Sequence, residues 1–230
     1  MAGFLERRGG GEGRNPRKRR GREQSGGWSW LRMDAAAPPP VFSEPSAMPA
    51  HAPLVRLVLL TQRHAEDLQR LVSDPEVAFP AGLPMPAPEN FGSHFIEVRS
   101  RAHRAGTAHS FAVHPEDSEQ LLGVCSLFHV EASRRHAELA FFIDRAWWSR
   151  GYGRAAAEEA VRRAFEGLEL SRLYARCQHD NERALRLLKG RGFRPTLDCD
   201  LPLGNGRREA ATMLCLDRDH RAAEPTLGTR

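Results

Sequence analysis

Hydrophobic and polar positions change their spacing along the chain, and each change predicts a new element. Short apolar or alternating runs indicate strands, whereas apolar residues that recur every three or four positions indicate helices. The strands are predicted at 54–60, 109–114, 121–130, 137–143, 173–177, 193–197 and 211–216. The helices are predicted between Thr61 and Pro75 and at 90–105, 151–168 and 181–189. Polar turns join the second, third and fourth strands, so we expect an antiparallel meander there.

Two of these helices show which of their residues should face the core. The second predicted helix places Phe91, Phe95 and Val98 on one side. The third repeats apolar residues at helical spacing and leaves Arg162 and Arg163 on its outer side. Both helices should therefore pack one face against the sheet.

The first 50 residues have a different composition from the rest. They are poor in aliphatic side chains and rich in Gly, Arg, Pro and Ala, a composition that cannot bury enough apolar surface to fold. We expect residues 1–50 to be a disordered leader, residues 54–216 to be one folded domain, and residues 217–230 to be a polar tail. A start codon placed too far upstream would account for the leader, since Met33 and Met48 are both plausible starts.

The positive charge of the chain belongs to this leader. The 230 residues carry a formal net charge of +5, and residues 1–32 alone hold nine basic and three acidic side chains. The remainder is near neutral, which removes the main argument for a specific nucleic-acid partner.

Two further patterns concern membranes, metals and redox state. No apolar run approaches the roughly 20 residues of a membrane-spanning helix, and the leader lacks the apolar segment of a secretory signal. The four cysteines form no CxxC pair, and the histidines show no metal-binding spacing. We predict a cytoplasmic protein with free thiols, no metal and no membrane association.

The segment from Trp147 to Ala156 carries the clearest chemical signal. Gly151 and Gly153 stand at the start of a predicted helix, where backbone N–H groups and the helix dipole favour a phosphate. The segment also fits the dinucleotide pattern GxGxxA, but seven residues separate it from the preceding strand, and no acidic residue ends the following one. A phosphate-bearing ligand is therefore expected, and a dinucleotide is disfavoured.

Three segments resemble the GNAT acetyltransferase superfamily, and within it the RimJ/RimL type of ribosomal-protein alanine acetyltransferases. Residues 148–153 resemble the Q/R-x-x-G-x-G/A loop, with Trp148 at its first position. Residues 138–144 resemble the strand before that loop, and residues 181–193 resemble the Asn-initiated helix that ends in Gly-Phe. The resemblance covers about residues 54–216. It implies an α/β (α+β) GNAT fold, with a mixed, mostly antiparallel sheet of about six to seven strands flanked by about four helices.

The resemblance also implies a reaction. An acetyl group would move from acetyl-CoA, the acyl-donor substrate, to a protein N-terminus or a small-molecule amine by direct attack on the thioester. It leaves a homodimer open. The cofactor-binding residues that it implies are Phe141, Phe142, Ile143, Trp148, Ser149, Arg150, Gly151, Tyr152, Gly153, Arg154 and Asn181.

Glu138 is the candidate catalytic base, because an attacking amine must be neutral and must lose a proton. Two alternatives stay open: a strand carboxylate paired with Arg134 or Arg135, or a histidine base at His129 or His136.

Two departures from the family favour a second hypothesis. Ala184 stands where the group often has serine, and the usual tyrosine acid has no counterpart in the last predicted helix. A catalytically weak CoA-binding sensor or regulatory protein is therefore the alternative. The resemblance builds the acceptor cleft from residues 78–95 and from a loop at 198–209, neither of which carries a motif.

Overall fold

The structure is a computed structural model that describes residues 53–203 and 206–221. Its strands are β1 Val55–Leu59, β2 Ala108–Pro115, β3 Gly123–Glu131, β4 His136–Ile143, β5 Arg172–Gln178, β6 Arg194–Pro202 and β7 Arg208–Asp217. Its α-helices are α1 Ala65–Val72, α2 Pro75–Ala78, α3 Phe91–Arg104, α4 Tyr152–Arg162, α5 Glu182–Lys189 and α6 Arg218–Arg221. The predicted leader and residues 222–230 of the predicted tail lie outside the described residues.

The seven strands form one sheet in the order β1-β2-β3-β4-β5-β7-β6. Neighbouring strands are antiparallel except for β4 and β5, which are parallel. The predicted meander and the predicted fold class are confirmed.

The pairing of β4 with β5 is short and leaves a cleft. The parallel ladder runs only from His136 opposite Arg172 to Glu138 opposite Tyr174. Beyond Glu138 the two strands separate, so residues 139–143 of β4 have no strand partner on the β5 side. The opening lies in the middle of the sheet.

Helices cover both sides of the sheet, and alternate residues of each strand face opposite sides. On the side called here the α4 face, Leu139 and Ile143 pack with α4 and α5. On the opposite side, the α3 face, Val124 and Phe142 pack with α1 and α3.

The prediction that Val98 faces the core is wrong. Val98 is 42% exposed, whereas Ile96 is 1% exposed and contacts the core. The reason is the close crossing of α3 over α1, since a Cβ on Gly92 would lie 2.2 Å from the carbonyl oxygen of Ala65. That approach turns the row of Phe91, Gly92 and Ile96 inward.

Arg163 was predicted to face outward, and that prediction is also wrong. The α-helix ends at Arg162, which is exposed as predicted, and the chain widens into a π-helical turn over Arg163–Gly167. The wider turn points Arg163 inward, where it donates a 2.7 Å hydrogen bond to the carbonyl of Leu57. Its guanidinium also lies 4.9 Å from the ring centre of Phe111.

Three segments have more regular structure than the pattern predicts. In α2, Pro75 occupies the first turn and the Asp74 side chain accepts a hydrogen bond from the Glu76 amide, an ordinary helix start. Strand β6 extends to Pro202 and β7 begins at Arg208, so the predicted loop at 198–209 is largely strand. β6 is a mostly exposed edge strand, which removes the alternation that would have revealed it.

Candidate functional site

A cavity of about 760 Å³ lies where β4 and β5 separate. Its walls come from the end of β4, the start of α4, the end of β5, helix α5 and the segment that includes α2. All of the predicted cofactor-binding residues except Arg150 and Tyr152 line this cavity. Residues far apart in the sequence therefore meet in one place.

The start of α4 opens into the cavity without a side-chain cap. Gly151 is the N-cap residue with φ +87°, a left-handed conformation that favours glycine. The backbone amides of Tyr152, Gly153 and Arg154 have no hydrogen-bond acceptor among the described residues. Unpaired amides at a helix N-terminus carry partial positive charge and bind anions. The Arg154 side chain adds a full positive charge to the same wall.

Gly153 allows this helix start to lie close to its neighbours. A Cβ on Gly153 would be 3.4 Å from Leu187 Cδ1 and 3.7 Å from Ile143 Cγ1. The position is filled to van der Waals contact, so a larger residue would displace α4 from α5 or narrow the cavity.

Arg150 and Tyr152 do not line the cavity. The Arg150 guanidinium lies 5.2 Å from the ring centre of Trp147, and the Tyr152 ring meets the same indole edge-on at 5.3 Å. Both side chains therefore pack against Trp147, which itself lines the cavity.

Trp148 both packs and lines the cavity. Its Nε1 donates a 2.7 Å hydrogen bond to the carbonyl of Ile143, which lies at the end of β4. On its other side, the Arg183 guanidinium stacks 3.9 Å from the ring centre. The indole thus fixes the cleft width at its open end.

Asn181 and Cys177 occupy the β5–α5 connection. The Asn181 Oδ1 atom accepts a 3.1 Å hydrogen bond from the Ala184 amide and so caps α5. Its side-chain nitrogen has no hydrogen-bond acceptor among the described residues. Burial raises the pKa of the Cys177 thiol to about 11, so this cysteine is not a nucleophile at neutral pH.

Gln178 is a site residue that the sequence reasoning missed. It ends β5, is 4% exposed and lines the cavity. Its Nε2 is buried with no hydrogen-bond partner among the described residues, a cost of about 1–3 kcal/mol. A buried donor beside a cavity is suited to a ligand carbonyl. The only signal in the sequence was a polar residue directly after the predicted strand at 173–177.

Glu138 lies at the closed end of the cleft, outside the cavity wall. Its side chain is 12% exposed, and Arg176 donates to both carboxylate oxygens, from Nε at 2.6 Å and from Nη2 at 3.1 Å. His129 Nδ1 is 3.4 Å from Oε2. The carboxylate is therefore held in a fixed orientation between a strand arginine and an exposed imidazole.

The partners considered for Glu138 from the sequence lie elsewhere. Arg134 pairs with Glu131 at 3.1 Å, and Arg135 donates to the carbonyl of Glu169 at 2.8 Å. His136 is also close to Glu131, at 3.4 Å. The expectation that Arg134 or Arg135 pairs with Glu138 is wrong, because β5 supplies Arg176 instead.

Comparison with known proteins decides the family. Residues 55–194 match the sequence profile described as the acetyltransferase (GNAT) domain. The chain belongs to the GNAT acetyltransferase family. Its classification as an N-acetyltransferase, predicted from three short segments, is confirmed.

Relatives and solved structures agree with this family assignment. The chain is 22% identical over 129 residues to the uncharacterized N-acetyltransferase p20 of Bacillus licheniformis, covering 56% of this chain and 72% of p20. Its fold is similar to that of the Vibrio cholerae spermidine N-acetyltransferase solved with CoA and spermine (TM-score 0.63, 17% identity, 73% and 98% of the two chains). It is also similar to a Vibrio cholerae protein provisionally assigned as a ribosomal-protein-serine acetyltransferase (TM-score 0.60, 20% identity, 71% and 94%).

Metal-binding clusters and membrane-spanning helices are both absent from the described residues. Residues 53–203 and 206–221 contain no group of three or more His, Cys, Asp or Glu that could hold a metal ion. In the same part of the chain, no helix is long and apolar enough to cross a membrane.

Proposed function

We propose that this GNAT enzyme transfers the acetyl group of acetyl-CoA to a primary amine by direct attack on the thioester. The observation that carries the proposal is the uncapped N-terminus of α4, which opens into a cavity beside the unpaired edge of β4. Together they offer an anion site and an extended backbone edge, which a pyrophosphate followed by a pantetheine arm would require.

The geometry orients the donor along the cleft. The amides of residues 152–154 would bind the pyrophosphate, and the backbone of residues 141–143 would bind the pantetheine amides. Gln178 and Asn181 both line the cavity, and neither side-chain nitrogen has a hydrogen-bond partner among the described residues. Asn181 would donate to a carbonyl oxygen of the arm, and Gln178 would do so once its buried Nε2 turns toward the ligand. Because the cleft closes at the pair of Glu138 and Tyr174, the thioester would stop beside that pair.

The chemistry needs a proton acceptor, and we assign that role to Glu138. The amine nitrogen forms a bond to the thioester carbon, the carbon–sulfur bond breaks, and the amine proton passes to the carboxylate directly or through a water. Arg176 holds the carboxylate in place. Unpaired amides on the β4 edge would stabilise the developing oxyanion. The thiolate is a good leaving group, so the absence of a hydroxyl at Ala184 does not prevent the step.

The subgroup and cellular location complete the proposal. Likeness to the ribosomal-protein-serine acetyltransferase fold supports the RimJ/RimL-like subgroup, and likeness to the spermidine enzyme supports a small amine equally well. The four free cysteines, two of them buried, support a reducing, cytoplasmic compartment. The alternative of a CoA-binding sensor is not favoured, because the matched relatives are acetyltransferases.

Two measurements on the purified chain test the proposal. Acetyl-CoA should raise the melting temperature, and a panel of primary amines should release free CoA thiol from it. Absence of both effects would refute the proposal. Binding without thiol release from any amine would instead support the sensor.

A further inference from the structure

Arg99 on α3 is a half-buried cation with no anionic partner among residues 53–203 and 206–221. Its guanidinium stacks on two rings, 4.9 Å from the centre of Phe95 and 5.9 Å from the centre of Phe128. It makes no hydrogen bond or ion pair with any residue that the structure describes, and burial lowers its pKa. By contrast, Arg101 on the same helix is exposed and lies 3.8 Å from Glu97. Partly buried arginines are usually paired, so Arg99 is unusual.

The position of Arg99 places it next to the proposed reaction centre. Phe128, on which it stacks, lies directly opposite Glu138 in the β3–β4 register. Opposite residues in an antiparallel pair have Cα atoms about 5 Å apart and side chains on the same face. Arg99 therefore lies on the α3 face, one strand away from the Glu138 carboxylate.

The α3 face of β4 is open beside these residues. Ala140 lies two residues after Glu138, on the same side of the central strand β4, and it is exposed. An exposed alanine at the centre of a sheet means that no described side chain packs over it. On the β5 side, the charge of Arg176 is balanced by Glu138. Arg99, by contrast, has no balancing anion among the described residues.

The Arg99 guanidinium, which contacts two aromatic rings, is preorganised to bind an anion. Stacking on Phe95 and Phe128 fixes its plane, and its N–H groups form a fork that matches a carboxylate or a phosphate. An amine that attacks a thioester beside Glu138 must approach over Ala140, so the rest of the acceptor molecule faces α3.

We propose that Arg99 binds an anionic group of the acceptor, so that the acceptor is a primary amine that also carries a carboxylate or a phosphate. The inference rests on the proposed function for the location of the thioester. It separates this enzyme from polyamine acetyltransferases, whose acceptors are polycations that Arg99 would repel.

The test compares acceptors that differ only in the anion. Thiol release is measured with a series of amino acids of increasing chain length, with the carboxamides of the same compounds, with aminoalkyl phosphates and with spermidine. The best acid should exceed its own amide by about tenfold or more in kcat/KM, the value of one charge-assisted contact. Comparing kcat/KM for acceptors that carry a carboxylate with kcat/KM for acceptors that carry a phosphate shows which anion Arg99 prefers.

Variants then ask whether Arg99 causes the preference. Arg99→Gln should lower kcat/KM for the acid by about tenfold and leave the amide unchanged, and Arg99→Lys should retain part of the preference. Arg101→Gln is the matched control and should behave as wild type. Acetyl-CoA binding and the melting temperature are measured for each variant to confirm folding.

The outcomes separate this inference from the proposed function. Equal rates for acid and amide, a preference for spermidine, or an equal loss on both acceptors in Arg99→Gln would overturn the role of Arg99 while leaving acetyl transfer intact. Failure of every amine would refute the proposed function itself, and this inference with it.

Discussion

The proposed donor half and the proposed acceptor half of the site are built in different ways. The donor half is one continuous segment, from the end of β4 through Gly151 and Gly153 into α4, and its chemistry lies largely in the backbone. The acceptor half combines single side chains from separate elements, Arg99 from α3, Phe128 from β3 and Arg176 from β5. A backbone site is tied to local sequence, whereas a side-chain site depends on long-range register.

The largest effect is expected from Gly151→Asp in the donor half. Any residue with a side chain is strained at the φ of +87° that Gly151 adopts, and its Cβ would lie 2.9 Å from Pro53 Cδ. The aspartate would also place a negative charge beside the expected pyrophosphate. Strain of about 1–2 kcal/mol together with repulsion should weaken acetyl-CoA binding at least about 100-fold, measured by titration calorimetry.

Gly106→Asp is the matched control for this substitution. Gly106 also has positive φ, +69°, but a Cβ there has no atom within 4 Å, and it lies in the turn after α3. Acetyl-CoA affinity should be unchanged in this variant. Equal losses in both would show that backbone strain alone, rather than the loop at α4, is responsible.

Glu138→Gln tests the proposed general base, which lies between the proposed donor and acceptor halves. Removing a general base should reduce kcat by about 100-fold and leave acetyl-CoA affinity unchanged. Glu131→Gln is the control and should retain activity, because Glu131 ends the neighbouring strand β3 and pairs with Arg134 in the turn that follows. A Glu138→Gln enzyme with wild-type turnover would remove Glu138 as the proton acceptor.

Gln178→Leu should separate stability from function in the donor half. The buried Nε2 has no described partner, so an apolar replacement should raise the free energy of unfolding of the free protein by about 1 kcal/mol. The same change removes a donor from the cavity and should weaken acetyl-CoA binding by about tenfold. Exposed Gln120→Leu is the control, in which neither quantity should move. Loss of both stability and affinity in Gln178→Leu would contradict the assignment.

The smallest effect concerns neither half. His64 and His114 are buried with ring centres 5.4 Å apart, and burial lowers the pKa of each. As the pH falls below about 6.5, these histidines take up protons in the unfolded chain before they do so in the folded protein. Their contribution to the free energy of unfolding is therefore fully present above that pH and is lost below it.

His114→Phe should reduce this pH dependence. Urea unfolding at several pH values should give a smaller loss of stability for the variant between about pH 7 and pH 5, by about 1 kcal/mol or less. Identical pH slopes for variant and wild type would show that His114 does not contribute.

The donor half could be predicted from the sequence because it is local. The glycines at 151 and 153, followed by an amphipathic helix, already predict a helix start that is suited to an anion. The seven strands and the four longer helices were also predicted, since each carries a clear period. Arg163 escaped prediction because the π-helical turn that redirects it depends on tertiary packing.

The acceptor half could not be predicted for the opposite reason. Arg99, Phe128 and Arg176 are unremarkable in sequence. The register of β3, β4 and β5 brings Phe128 and Arg176 to Glu138, and the packing of α3 places Arg99 on Phe128. Arg134 and Arg135, nearer to Glu138 in sequence, were the obvious partners and are not used. Proximity along the chain was a poor guide to contact here.

A crystal structure with CoA bound tests the central claim most directly. We expect the pyrophosphate oxygens within hydrogen-bond distance of the amides of residues 152–154. We also expect the pantetheine along residues 141–143 and the sulfur beside the pair of Glu138 and Tyr174. CoA bound elsewhere, or with its pyrophosphate away from the start of α4, would contradict the assignment of this cleft as the donor site.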